Sequence, residues 1–293
     1  MSPERLRGAL CIAVSASAFG AMAIFARMAA AEGVGVGAVL FLRFTLAGLL
    51  LAGYMALSGR TWPRGRPLAI LCGMGGIGYA SQSFCFFSAL GYASAGMVAL
   101  LLYLHPFMVT LAAAALFGHR LGPVRLLCVV MAVGGTALTI GGDLHSEPLG
   151  LVLGVASAVI YSAYILVGSR VLESQEPLAA AAVVMLSASV SLGLAALATG
   201  PAFPVTLAGW LWVALIALLS TVVAMVFLFA GMRRLGPADA VTLSTLEPVV
   251  TFALAALFLG ESISGRQLLG GAVVIAAVIW LAQAGGREAP AGP

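Results

Sequence analysis

Two titratable side chains lie deep inside apolar stretches of the sequence, and each is followed directly by a proline. They are His105, before Pro106, and Glu247, before Pro248. A titratable group far from water is costly and marks a functional site by default. The proline removes a helix hydrogen bond, and the carbonyl that it frees is tolerated only beside protein or a wet cavity. We predict that His105 and Glu247 line or gate a substrate path; alternatively, the prolines only kink helices and Glu247 has a structural partner.

Polar and aromatic side chains recur at helical spacing in several of the apolar stretches. A lipid-facing helix gains nothing from such a stripe, so the pattern favours the wall of a cavity. Small polar residues also hold helices together, which is the alternative interpretation. The further candidate pathway residues are Ser15, Phe19, Tyr79, Gln82, Ser83, Phe86, Tyr103, Ser157, Tyr161, Tyr164 and Ser244, whose carbonyl Pro248 frees.

Arg43 is a basic residue well inside an apolar stretch, about eight residues or 12 Å from its outer end at the rise of a helix. Its guanidinium either binds a substrate carboxylate or extends to the outer interface along its apolar stem. Both interpretations are open at this point.

Motifs for catalysis, metal binding and nucleotide binding are missing from the sequence. The three histidines are followed by Pro106, Arg120 and Ser146, so none belongs to an HExxH zinc motif. The four cysteines have no CxxC or Cys/His spacing. There is no P-loop, so ATP would have to act through another chain. We therefore expect no enzyme activity, no metal and no cofactor, with an intramembrane hydrolase or transferase as a minor alternative.

The amino-acid composition is that of a protein embedded in a membrane. Of the 293 residues 62% are hydrophobic and 8% are charged, and the mean hydropathy is +1.13. The basic residues are all arginines scattered between apolar runs, which is not the pattern of a nucleic-acid-binding face. A bilayer core needs about 20 apolar residues per helix. This length predicts an all-α protein with ten transmembrane helices, at 8–29, 35–58, 67–90, 94–117, 122–140, 149–169, 178–199, 208–231, 237–259 and 265–284.

The arginines predict the orientation of these helices. Arg27 and Arg266 lie near one side of the membrane, whereas many more lie on the side of the N terminus. Because cytoplasmic loops carry an excess of basic residues, both termini are predicted to be cytoplasmic. The arginines on the N-terminal side are Arg5, Arg7, Arg60, Arg64, Arg66, Arg120, Arg125, Arg170, Arg233, Arg234 and Arg287.

The sequence also contains a weak internal repeat. A shift of 142 residues pairs Ser15 with Ser157 and Pro106 with Pro248. Each repeat holds five helices, an odd number, so the second repeat enters the membrane from the opposite side. Inverted repeats are typical of alternating-access transporters, with the substrate site near the midplane. The predicted units are residues 1–141, residues 148–286 and a short cytoplasmic tail, 287–293.

These features resemble the drug/metabolite transporter superfamily, in particular its ten-helix proteins with two EamA-type domains. The resemblance covers nearly the whole chain. It rests on Arg43-Phe44-x-Leu-Ala-Gly and on two matched segments that run from Tyr103 to His119 and from Thr245 to Glu261. His119 departs from the glutamate usual at that position. The resemblance implies transport of amino acids, other metabolites or drugs.

Together these observations predict a secondary transporter or facilitator for a small polar or amphipathic metabolite, in a bacterial inner membrane. An amino acid exporter is preferred, because few fixed charges and several aromatic residues suit a zwitterion. A multidrug or quaternary-cation pump is the alternative, since Glu247 and the aromatic rings attract cations. The expected partners are the substrate and the lipid bilayer. The sequence does not indicate an oligomeric state.

Overall fold

The computed structural model describes residues 3–117, 122–140, 146–172, 175–235, 243–244 and 246–287. His119, the end of the first predicted unit at 141 and the tail after Arg287 lie outside these residues. Within them every regular element is a helix. The helices are α1 (Pro3–Gly20), α2 (Met22–Ala31), α3 (Val36–Leu57), α4 (Gly65–Gly73), α5 (Ala80–Ala89), α6 (Ala95–Leu102), α7 (His105–Phe117), α8 (Pro123–Ile140), α9 (Pro148–Leu172), α10 (Pro177–Thr199), α11 (Leu207–Ala217), α12 (Ala224–Leu235), α13 (Leu246–Leu259) and α14 (Gly265–Arg287).

Six helical stretches of the described chain are long and apolar enough to cross a membrane. They are Leu6–Ala31, Val36–Leu57, Gly65–Ala89, Pro148–Gly168, Pro177–Thr199 and Leu207–Leu228. Four further apolar helices are shorter within the described residues, namely Ala95–Val109, Leu126–Thr139, Leu246–Leu259 and Gly265–Leu281. The all-helical, multi-span character of the prediction is confirmed.

The predicted fourth helix is not continuous. It divides into α6 and α7, with Tyr103 and Leu104 in a turn between them. The break precedes Pro106 because a proline lacks an N–H and disfavours the helical conformation in the residue before it. At the far end of the chain, α14 continues through Arg287.

Two π-helical segments interrupt spanning helices at related places in the two halves. Met74–Tyr79, the first π segment, joins α4 to α5, and Leu218–Val223, the second π segment, joins α11 to α12. A π turn contains an extra residue relative to an α turn and is common at functional sites. Both segments therefore rotate the residues that follow them relative to a regular helix.

Helix packing joins the two halves of the chain. The most extensive pairs are α1 with α12, α5 with α9, α3 with α10, and α8 with α14. If each helix is replaced by its counterpart in the other half, the pair of α1 and α12 becomes the pair of α9 and α5. The pair of α3 and α10 and the pair of α8 and α14 each map onto themselves. The largest buried cluster includes Leu40 and Phe44 of α3, Met97 of α6 and Met185 of α10.

Close approach between these helices depends on glycine. A Cβ on Gly75, in the first π segment, would collide with the backbone of Val184 in α10, whereas a Cβ on Gly73 would meet open space. A Cβ on Gly96, in α6, would collide with the ring of Phe252 in α13. Small residues at such positions let helix backbones approach in a membrane.

Candidate substrate-binding site

A cavity of about 120 Å³ lies where helices of both halves meet. Ten of the fourteen predicted pathway residues line it, and three residues outside that prediction complete it: Met22, Phe87 and Leu102. These three are apolar, and nothing in their spacing distinguishes them from the lipid-facing or core positions around them. The predicted residues that line the cavity are Phe19, Arg43, Tyr79, Gln82, Ser83, Phe86, Tyr103, His105, Tyr161 and Glu247.

Arg43 is buried in the protein and does not reach the interface. Its side chain is 2% exposed, so the interpretation that it extends to the membrane surface is wrong. Nε donates to the Thr221 hydroxyl over 2.9 Å, and Nη2 donates to the Tyr79 hydroxyl over 3.3 Å. The guanidinium carbon also lies 4.9 Å from the ring centre of Phe44 and 5.5 Å from that of Phe87. Among the described residues no carboxylate pairs with this cation.

Glu247 brings an opposite charge to the same cavity. Its carboxylate accepts a hydrogen bond of 3.0 Å from the hydroxyl of Tyr103. No arginine or histidine of the described chain forms an ion pair with it. Arg43 and Glu247 therefore present separate charges of opposite sign to one small cavity.

Each of the two prolines leaves one backbone carbonyl without its helical hydrogen bond, and a side chain then bonds that carbonyl. The Ser244 carbonyl, which Pro248 cannot bond, accepts from the Tyr103 hydroxyl over 2.6 Å. The Leu102 carbonyl, which Pro106 cannot bond, lies 3.0 Å from Nδ1 of His105, so that nitrogen carries the proton in this contact. The backbone distortions at the two prolines thus orient Tyr103 and His105 at the cavity.

An aromatic wall closes one side of the cavity. The rings of Tyr79 and Tyr164 stack with centres 5.4 Å apart, and Tyr161 stacks on Tyr164 at 5.9 Å. The rings of His105 and Tyr161 are nearly perpendicular, with centres 4.9 Å apart. Tyr164 does not line the cavity; it supports two tyrosines that do.

A short polar network occupies another side. Gln82 Nε2 donates to the hydroxyl of Ser157 over 3.0 Å, and Ser83 donates to Gln82 Oε1 over 3.2 Å. Ser157 is fully buried and positions Gln82 without lining the cavity. Ser15 is not in the cavity either, because its hydroxyl donates to the Ala224 carbonyl over 2.8 Å and joins α1 to α12.

A larger crevice of about 490 Å³ lies at the end of the bundle where α2 ends and α6 begins. An ion pair crosses it: Arg27 Nη2 lies 3.3 Å from Glu261 Oε1, which also accepts from the backbone N–H of Ala95 over 3.0 Å. Arg27 donates in addition to the Ala93 carbonyl over 2.8 Å. These contacts tie α2 and the start of α6 to the connection between α13 and α14.

The part of the chain that the structure describes contains no group of three or more His, Cys, Asp or Glu residues able to hold a metal ion. The geometry around the cavity is that of a ligand-binding site with one cation, one carboxylate, hydroxyl and amide groups and aromatic rings. These features suit recognition of a small polar molecule.

Comparison with known proteins places the chain among transporters. The threonine/homoserine exporter RhtA of Salmonella typhimurium strain LT2 is 27% identical over 252 residues, which cover 83% of this chain and 81% of the relative. The inner membrane transporter YedA of Escherichia coli strain K12 is 28% identical over 243 residues, 81% of this chain and 78% of the relative. A crystal structure at 22% identity superimposes on 96% of this chain and 99% of its own with a TM-score of 0.70, which shows a shared fold.

The family model of the EamA-like transporters matches the sequence twice, at residues 6–141 and 148–283. The two matches together span nearly the entire chain. The chain therefore belongs to the EamA-like transporter family, and it is a multi-pass membrane protein.

Proposed function

We propose that the protein is a secondary transporter that exports a small α-amino acid across a bacterial inner membrane by alternating access. The substrate binds in the cavity with its carboxylate at Arg43 and its ammonium group at Glu247. His105 and the tyrosines enclose the rest of the molecule.

The observation that carries this proposal is the pair of unmatched charges. Arg43 and Glu247 line one cavity, and neither has a charged partner among the described residues. A buried charge without a partner costs about 3–5 kcal/mol. A zwitterion supplies both missing counter-ions at once, whereas a simple cation or anion supplies one.

The comparisons support the substrate class and the direction. RhtA, by its name, exports threonine and homoserine, both of which are small zwitterions with a hydroxyl group. The amide group of Gln82 and the hydroxyl group of Ser83 provide hydrogen-bond partners for such a side chain. The name of YedA supports the inner membrane as the location.

The proposal includes ten spans, in two inverted units at 1–141 and 148–286, with both termini and the tail 287–293 in the cytoplasm. It is supported by the double family match, by the four shorter apolar helices, and by helix packing that is preserved when the halves are exchanged. The two π segments at related positions add to this support. Such halves can rock about a central site.

A quaternary-cation pump is the second candidate, favoured by Glu247 among aromatic rings. The buried guanidinium of Arg43 opposes it, because a cation in the same cavity would be repelled. An enzyme is not proposed, since the relatives are transporters.

Reconstitution in proteoliposomes tests the proposal. The panel contains labelled L-threonine, L-homoserine, choline and a nucleotide sugar, and counterflow exchange makes the result independent of protein orientation. We expect exchange of the amino acids, loss of exchange in Glu247→Gln, and retained exchange in Glu147→Gln, which changes an exposed carboxylate outside this cavity. Exchange of choline without exchange of any amino acid would contradict the proposal.

Proton coupling through His105 or Glu247 is part of the same proposal. Both are titratable groups at the cavity, and a proton on either would change the charge that the substrate meets. We expect an imposed pH gradient to drive net amino acid movement into proteoliposomes that contain the wild-type protein. Movement that is unaffected by the gradient would remove proton coupling and leave exchange or facilitated transport.

A further inference from the structure

Both π segments supply a hydroxyl group to the same cation. Tyr79 is the last residue of the first π segment, and Thr221 lies within the second. Their hydroxyls both accept hydrogen bonds from Arg43, at 3.3 Å and 2.9 Å. A helix distortion from each half of the chain therefore contributes to holding one arginine of the first half.

The hydrogen-bond direction at Thr221 is determined by its second contact. Its hydroxyl donates to the carbonyl of Ile216, five residues back, over 2.9 Å. In regular turns of this protein, Thr45 and Thr136 donate instead to carbonyls four residues back. The π turn thus moves the hydroxyl of Thr221 to a different carbonyl, and its lone pairs accept from Arg43.

The hydrogen bonds to Thr221 and Tyr79 occupy only some of the N–H groups of the Arg43 guanidinium. Nε and one N–H of Nη2 are bonded to protein, and the remaining N–H groups have no partner among the described residues and can bind a ligand in the cavity that Arg43 lines. A guanidinium donates from a rigid plane, so fixing Nε fixes the direction of the other donors. Paired donation to a carboxylate depends on that direction.

We propose that Thr221 is a positioning residue for substrate recognition, which orients Arg43 so that its free N–H groups meet the substrate carboxylate. This inference rests on the proposed function. Because Arg43 belongs to the first half and Thr221 to the second, the orientation of the arginine depends on how the halves pack together.

Substitutions in the second π segment test this role. Thr221→Val removes the hydroxyl with little change of shape, and Thr221→Ser keeps it. Ser220→Ala is a matched control, because Ser220 is fully buried in the same segment and its hydroxyl has no hydrogen-bond partner among the described residues. Calorimetry with the purified full chain measures binding of L-threonine and of 1-aminopropan-2-ol, which is threonine without its carboxylate.

We expect Thr221→Val to weaken threonine binding by roughly tenfold, the equivalent of one hydrogen bond to a charged group. Thr221→Ser and Ser220→Ala should bind threonine as the wild type does. The weak binding of 1-aminopropan-2-ol should be the same in all four proteins. If Thr221→Val weakens both ligands equally, or binds threonine like the wild type, Thr221 does not position the arginine.

A second variant is available if Thr221→Val does not fold. Tyr79→Phe removes the other hydroxyl at Arg43 and should also weaken threonine binding more than amine binding. If the wild type binds no amino acid, the proposed function and this inference both fail, whereas normal threonine binding by Thr221→Val, or by Tyr79→Phe where Thr221→Val does not fold, overturns this inference alone.

Discussion

The hydroxyl of Tyr103 donates a 3.0 Å hydrogen bond to the carboxylate of Glu247, and the two residues come from opposite halves of the chain. Tyr103 lies in the turn that precedes Pro106, and Glu247 immediately precedes Pro248. Two separate proline distortions are thus joined at one contact. A tyrosine at this place gives the carboxylate a neutral partner and leaves its charge available to a ligand.

Tyr103→Phe should destabilise the protein, because it leaves the carboxylate of Glu247 and the freed carbonyl of Ser244 without their common donor. We expect a loss of about 1.5–3 kcal/mol, the range for a hydrogen bond to a charged group. Thermal unfolding in detergent measures this loss as a lower midpoint. Tyr54→Phe is the control, since the side chain of Tyr54 is 52% exposed; equal midpoints for the two variants would contradict the role of Tyr103.

Arg43→Lys should fail to replace arginine despite keeping the positive charge. A lysine ammonium is a point charge and cannot bond Thr221 and Tyr79 while presenting a planar pair of donors to a carboxylate. We expect at least about a tenfold loss of threonine affinity in Arg43→Lys and a larger loss in Arg43→Gln. Calorimetric titration measures both, and wild-type affinity in Arg43→Lys would show that the charge alone is sufficient.

Gly75→Ala should disturb the contact between the first π segment and α10. The added methyl group collides with the backbone of Val184, which cannot move as a flexible side chain can. Overpacking of this kind costs about 1–3 kcal/mol. Gly73→Ala, where a Cβ meets open space, should leave the unfolding midpoint unchanged or raise it. A midpoint in Gly75→Ala that matches Gly73→Ala would mean that this contact is looser than the structure shows.

Much of the cavity wall was predictable from sequence. Tyr79, Gln82, Ser83 and Phe86 share one face of a helix at regular spacing, and the structure brings this face to the cavity. Apolar helices of bilayer length have few ways to place such a stripe other than inward. Transport roles for the residues that meet there are still predictions.

The remaining features depend on contacts between distant parts of the chain. Arg43 is held inside because Thr221, far away in sequence, accepts from its Nε, and no local pattern indicates that pairing. The first π segment is rich in glycine, but Leu218–Val223 contains none, so its distortion has no local signal. Ser15 and Ser157 have the expected spacing but lie outside the cavity, where Ser15 donates to the Ala224 carbonyl and Ser157 accepts from Gln82.

Glu261→Gln should loosen the end of the bundle where α2 ends. The variant keeps the shape of the side chain and removes the charge that pairs with Arg27, a partly exposed interaction of about 0.5–1 kcal/mol. Ala93 is 3% exposed at this crevice. With the four native cysteines replaced, the thiol introduced by Ala93→Cys should react with a maleimide severalfold faster when Glu261→Gln is also present.

Glu4→Gln is the control for this measurement, because it removes the ion pairs of Glu4 with Arg7 and Arg234 near the N terminus. It should not change the labelling rate of the thiol at position 93. Equal labelling in the presence and absence of Glu261→Gln would show that the ion pair does not hold this crevice closed.

In the proposed transporter, Arg43 and Glu247 bind the two charged ends of one zwitterion. Calorimetric titration of the wild-type protein with L-threonine, 1-aminopropan-2-ol and 3-hydroxybutyrate separates the two contacts, because the second ligand lacks the carboxylate and the third lacks the ammonium group. We expect threonine to bind at least about tenfold more tightly than either analogue. Binding of 1-aminopropan-2-ol or 3-hydroxybutyrate as tight as that of threonine would show that the two charges do not act together on one ligand.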